Sequence, residues 1–150
     1  MGTHYKGTEE EVRVLNTYIK LMRAVESVSS RLSPCLAAAG LTISQFGSLE
    51  ALYHLGPLCQ CDLSKKLLKS SGNITMVIDN LEKRGLVQRK RETEDRRFVT
   101  VHLTEAGHRL ISEIFPRHVA AIVDEMSILT ASEQEELGRL CRILGRKERT

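Results

Sequence analysis

The sequence predicts a mainly α-helical fold built around a winged helix-turn-helix, with N- and C-terminal helices outside that unit forming a dimerisation region. Three observations predict it. Apolar residues recur at three- and four-residue steps over most of the 150 residues. Aromatic residues make up only 4% of the chain, with no Trp, which leaves little material for a large β-sheet. The pattern changes from helical to period two only beyond Gly85. With 41% hydrophobic and 27% charged residues, the composition is that of one domain, 1–150. Its winged helix is expected at about 42–104 and its dimerisation helices at about 8–39 and 105–147.

Thr8 and Glu11 have capping-box spacing, and Val12, Leu15, Ile19, Met22, Val25 and Leu32 then mark one face of a long first helix. Pro34 is expected to end or kink it, or to open a fresh turn behind Ser33, because proline lacks the N–H that a helix interior needs. Thr42 and Gln45 repeat the capping box before Phe46, Leu49 and Leu52, and Gly56-Pro57 stops that helix with a left-handed cap. A two-turn helix follows over Asp62–Leu68. Ser70-Ser71-Gly72 breaks it and caps the next, which carries Ile74, Val77, Ile78 and Leu81 on one face and ends at Gly85. Val87–Arg91 and Val99–Leu103 then form a hairpin across the charged turn Glu92–Arg97. Thr104 caps a helix with Pro116 as a kink, and Thr130 with Glu133 opens the last, whose stripe is Leu137, Leu140, Cys141 and Leu144. Cys141 is expected in the core.

The longest apolar stretches, such as Cys35–Leu41, fall far short of the roughly 20 residues a membrane span needs. Met1–Lys6 lacks the apolar centre of a signal peptide, so the expected location is cytoplasmic, with no membrane partner. Cys35, Cys59, Cys61 and Cys141 are then thiols rather than a disulfide framework. The net charge of +3 identifies no partner, but its distribution is more informative: Lys65 to Arg97 holds ten basic and five acidic residues, a candidate polyanion-binding face beside the plainer reading of a solvated charged surface.

That segment contains the two short helices and the wing. On the helix opened by Ser71, the apolar residues share one side, so Gly72, Thr75, Met76, Asp79 and Lys83 project from the other, flanked by Asn73 and Asn80. Amides and hydroxyls suit base edges, and Met76 or the Thr75 methyl suits a thymine methyl. Ser70, Ser71 and the first-turn N–H groups would meet phosphates, while Lys65, Lys66, Lys69 and Lys83 add sequence-independent affinity. Arg96 and Arg97 at the wing tip can reach a minor groove, and Asp95 beside them is assigned a structural role, pairing with an arginine. Scarce aromatics favour duplex DNA over single strands.

The chain resembles the MarR family of winged-helix transcriptional regulators. The resemblance is carried by Leu41-Thr42 with Gln45, Asn73-Ile74-Thr75, Leu81-Glu82-Lys83-Arg84-Gly85-Leu86-Val87, and Asp95-Arg96-Arg97 ahead of Leu103-Thr104. It covers nearly the whole chain and implies a homodimer on a pseudo-palindromic operator, acting as a repressor released by a small ligand or by oxidation. The ligand would be a phenolic or other aromatic effector. Arg97 takes the place of the family's wing arginine and Asp95 that of its structural partner. Geometry also favours two copies, since one short helix reads only a few base pairs and specific sites generally use two half-sites.

Cys59 stands where an N-cap is expected, and the positive end of a helix dipole raises a thiol's reactivity, so it is a candidate redox residue. The five histidines are scattered, and a zinc sensor built on His108 and His118 is the weaker reading beside surface or capping roles. No cofactor and no metal site is expected, and no pocket residue is marked by a motif. No phosphate-cradling, metalloprotease or nucleophile-elbow motif occurs, so an enzyme is not expected. The competing classes are a winged helix used only for protein contact and a metal-dependent sensor.

Overall fold

A computed structural model describes residues 2–91, 94–95 and 98–149. The chain runs α1 (Glu9–Ala37), α2 (Ile43–Leu55), β1 (Leu58–Cys59), α3 (Gln60–Leu67), α4 (Ser71–Lys83), β2 (Val87–Arg91), β3 (Val99–Leu103), α5 (Glu105–Met126) and α6 (Ala131–Arg146). The mainly helical winged helix-turn-helix fold is as expected. The hairpin also lies where expected, with Val87 opposite Leu103 and Arg91 opposite Val99. The sheet has a third strand that the sequence did not suggest: β1 pairs antiparallel with β3, Leu58 opposite Val101 and Cys59 opposite Thr100, in the order β1-β3-β2. Two residues are too few to show a period.

Local chemistry sets the helix starts. Thr8, Thr42 and Thr130 each form a complete capping box with Glu11, Gln45 and Glu133. Two helix ends share one device. Leu41 and Gly40 N–H donate to the Leu36 and Ala37 carbonyls, and Leu86 and Gly85 N–H donate to those of Leu81 and Glu82, with φ +70° at Gly40 and +71° at Gly85. In both, the leucine beyond the glycine and the leucine inside the helix are buried in the core.

Two expectations need correction. Of the outcomes expected at Pro34, an end to the helix does not occur: α1 continues to Ala37 and stops at the Gly40 motif. Pro34 orphans only the Ser30 carbonyl, on an exposed face open to solvent, while Leu36 just beyond is buried and holds the last turn. Gly56 has the positive φ expected of it, +79°, but its ψ of −167° is extended rather than left-handed helical, because the chain must pass directly into β1. Pro116, expected as a kink, lies inside α5, which runs on to Met126.

The core lies where α2, α4 and α5 close over the sheet, around Leu49, Leu63, Ile78, Leu81, Val101 and Ile111, each with 0% exposure. Ile74, Val77, Ile78 and Leu81 form the inner face of α4, as their spacing requires. The terminal helices differ. α6 buries no residue, and Leu137, Leu140 and Leu144 are exposed, as are Met22 and Val25 of α1 and Ile122 and Val123 of α5. Cys141 is therefore exposed rather than in the core: its helix buries no residue, and Leu144 of its stripe only lines an open groove with Val14, Tyr18 and Leu21 of α1. Arg31 of α1 hydrogen-bonds Glu125 of α5, and its guanidinium holds that carboxyl below the usual range.

α4 and α5 meet at a tight joint. Thr104 caps α5 by accepting from Gly107 N–H at 3.0 Å. Its hydroxyl donates to the Gly85 carbonyl at 2.6 Å, and its N–H donates to the Leu86 carbonyl at 3.1 Å. The end of α4 is thus bonded directly to the start of α5.

Candidate nucleic-acid interface

α3 and α4 are joined by the turn Leu68–Ser70. The sequence suggested that Ser70-Ser71-Gly72 makes the break, but the left-handed residue is Leu68, at φ +52° and ψ +40°. It is 91% exposed, an unusual combination of strain and exposure for a leucine. Lys69 N–H closes the turn on the Ser64 carbonyl at 3.0 Å. Ser70 then caps α4, its hydroxyl accepting from Asn73 N–H at 3.2 Å, and Gly72 lies inside the helix.

The outer face of α4 presents the expected residues apart from Asp79, which is half-buried and paired with Arg89. Ser71, Asn73, Thr75, Met76, Asn80 and Lys83 are all exposed, as is the cap Ser70. Met76 is 64% exposed, an apolar side chain with no partner in its own core. The Thr75 hydroxyl is occupied: it donates to the Ser71 carbonyl at 2.8 Å and accepts from Gln60 Nε2 at 3.1 Å, leaving its methyl as the outward group. Lys65, Lys66 and Lys69 flank the turn and are exposed.

Not all the basic residues of this segment face outward. Arg84 donates from Nη1 to the Gly40 carbonyl at 2.7 Å, tying the end of α4 to the end of α1. Arg89 of β2 reaches across to α4, where it pairs with Asp79 at 2.6 Å and Glu82 at 3.1 Å. Sequence patterning does not reveal these pairings, because each joins two different elements. Lys90 and Arg91 remain exposed on β2. Arg96 and Arg97, with the outer turn residues Glu92 and Thr93, lie outside the described residues. Asp95 is half-buried, and its carbonyl accepts from Phe98 N–H at 3.1 Å.

Cys59 is the N-cap of α3, its Sγ accepting from Asp62 N–H at 3.4 Å. Cys61 is exposed. Among the described residues no group of three or more His, Cys, Asp or Glu is placed to hold a metal ion. His108 and His118 instead join an aromatic cluster between α2 and α5 that their spacing did not reveal. His108 packs on Tyr53 at 5.2 Å between ring centres, His118 on Phe46 at 4.5 Å, and Phe115 on His54 at 4.7 Å. Burial pushes His118 below the usual imidazole value, against the pull of Glu50, and its Nδ1 is buried without a hydrogen bond.

A cavity of about 310 Å³ lies between α1 and α5, lined by Cys35, Ala38, Ala39, Leu110, Glu113, Ile114 and Arg117. Among the described residues no helix is long and apolar enough to cross a membrane.

Residues 41–99, spanning α2 to the start of β3, match the MarR family profile. The chain is 38% identical over 130 residues to the HTH-type transcriptional regulator YkoM of Bacillus subtilis, covering 86% of this chain and 84% of that one. It is 35% identical to the HTH-type transcriptional regulator MhqR of the same organism, over 87% and 90% of the two chains. Its fold superposes on the crystal structure of NadR in complex with 4-hydroxyphenylacetate with a TM-score of 0.73, at 26% identity, covering 99% of this chain and 100% of that one. The exposed polar face of α4, the basic turn before it, the hairpin after it and these likenesses agree: the chain belongs to the MarR family of winged-helix, DNA-binding transcriptional regulators.

Proposed function

We propose that the protein is a homodimeric repressor that binds a pseudo-palindromic operator in duplex DNA and is released by a small aromatic effector. The observation that carries the DNA contact is the outer face of α4, polar and nearly uncharged at its start, with Asn73, Met76 and Asn80 exposed beside the lysines of the preceding turn. Asn73 and Asn80 read base edges, Met76 and the Thr75 methyl touch thymine methyls, and Ser70 and Ser71 meet phosphates at the helix start. Arg97, by its place in the family motif, enters the minor groove from the wing, with Asp95 shaping the turn and Arg96 beside it. The exposed stripes of α1, α5 and α6 supply the dimer contact.

Mobility shifts on duplexes selected by the protein from a randomised pool test this division of roles. Asn73→Ala should relax preference at one position of the site by about 1–3 kcal/mol. Arg97→Ala should weaken all sequences and lower the salt slope by about one. Equal, sequence-independent losses from both would refute the assignment, and absence of salt-sensitive binding to any duplex would favour a protein-contact role.

The effector reading rests on the cavity between α1 and α5, whose mostly apolar wall carries one cation, Arg117, beside Glu113. NadR binds 4-hydroxyphenylacetate. The volume and lining here suit a small aromatic acid, with its carboxylate at Arg117 and its ring against Leu110 and Ile114. Titrating 4-hydroxyphenylacetate and related aromatic acids into the protein–DNA complex should release the duplex, and Arg117→Gln should raise the concentration needed about tenfold. Release unchanged by Arg117→Gln would move the site elsewhere.

A further inference from the structure

We propose that Arg89 is a positioning residue for DNA recognition: it locks the roll of α4 about its axis relative to β2, the strand that leads into the wing. The inference rests on the DNA-binding reading above. Arg89 acts through α4 rather than by touching a base.

The guanidinium reaches from β2 to two other elements. Nε donates to Gln60 Oε1 on α3 at 2.7 Å. Nη1 donates to Glu82 Oε1 at 3.1 Å, and Nη2 pairs with Asp79 Oδ1 at 2.6 Å and lies 3.4 Å from the Thr75 carbonyl. The Arg89 backbone N–H donates to the other Glu82 oxygen at 2.9 Å. Gln60 closes the circuit by donating to the Thr75 hydroxyl at 3.1 Å. Thr75, Asp79 and Glu82 stand at successive turns along one flank of α4, between its buried face and its exposed face, and span about 10 Å of helix.

This arrangement constrains what the core does not. The apolar contacts of Ile74, Val77, Ile78 and Leu81 keep α4 on the core, but such contacts have no preferred direction and tolerate small rotations. Charge-assisted hydrogen bonds from a planar fork are directional. Rolling α4 by a few tens of degrees would draw Asp79 and Glu82 away from Arg89 together. Base-edge reading by Asn73 and Asn80 depends on that roll, whereas phosphate attraction by Lys65, Lys66 and Lys69 hardly does. Lysine in place of Arg89 keeps the charge but cannot span the four acceptors.

The test compares wild type, Arg89→Lys and the double variant Asp79→Ala with Glu82→Ala, each checked by thermal unfolding. Two duplexes are used: one selected by the wild type from a randomised pool, and a shuffled duplex of the same composition. Arg89→Lys should hold the shuffled duplex within about twofold of wild type, with the same salt slope, while its preference for the selected duplex falls about tenfold. The double variant removes the clamp from the helix side, leaves the sheet untouched and should lose the same preference, which keeps the idea testable if Arg89→Lys folds poorly. Wild-type preference in both variants would overturn the proposal, and so would equal loss on both duplexes, which marks a merely structural arginine. If the wild type bound no duplex at all, the DNA reading would fail first and take this inference with it.

Discussion

Leu140→Asp should yield a folded chain that no longer self-associates and binds its operator about 10²–10⁴-fold more weakly, the range lost when two linked contacts become one. Leu140 is 48% exposed in the chain, in a stripe with Leu137 and Leu144, on a helix that buries no residue of its own. The substitution therefore removes nothing from the core around Leu49 and Ile78, and the midpoint of winged-helix unfolding should move little. In a dimer the same position would be covered, and a carboxylate forced into an apolar contact costs several kcal/mol in each copy. Sedimentation velocity reads the association and mobility shift reads the DNA. A dimer that survives the change would place the interface elsewhere, and a monomer with undiminished affinity would separate dimerisation from operator binding.

Gly107→Ala should destabilise the protein by about 3 kcal/mol, reversing the sign expected inside a helix, where alanine normally gains up to about 1 kcal/mol over glycine. An added Cβ would lie 1.9 Å from the Leu86 carbonyl oxygen and 2.9 Å from its carbon. These are backbone atoms, and the oxygen already accepts from Thr104 N–H, so they cannot swing aside as a side-chain tip could. The first turn of α5 would have to lift from the end of α4, loosening the joint made by Thr104. At about 2–4 °C per kcal/mol for a chain of this size, the melting temperature should fall by about 10 °C. A variant at least as stable as wild type would mean that the two helix ends are not held as closely as the geometry states.

What could be read from the sequence is what is decided locally. Thr8, Thr42, Ser70, Thr104 and Thr130 all cap the helices assigned to them, because a cap needs only a side chain and an amide three residues away. The inner and outer faces of α4 followed from its period for the same reason. Contacts between distant segments could not be read this way. Arg84 and Arg89 were legible as positive charge, but their carbonyl and carboxylate partners come from α1, α3 and α4. The strand β1 exists only because β3 runs beside it. Cys141 shows a different limit: an apolar stripe states that a helix face avoids water without stating whether its cover comes from the same chain.

The strand order β1-β3-β2 also bears on how the protein behaves when crowded together along a chromosome. A sheet with β3 in the middle has two edges, and an unpaired strand edge is a template for joining another molecule. One edge here is β1, two residues long and too short to seed such pairing. The other is β2, whose outward residues include Lys90 and Arg91, so a second copy approaching edge to edge meets its own charge. The cations that favour a polyanion therefore also discourage sheet-to-sheet aggregation, and neutralising them would put solubility at risk along with DNA affinity.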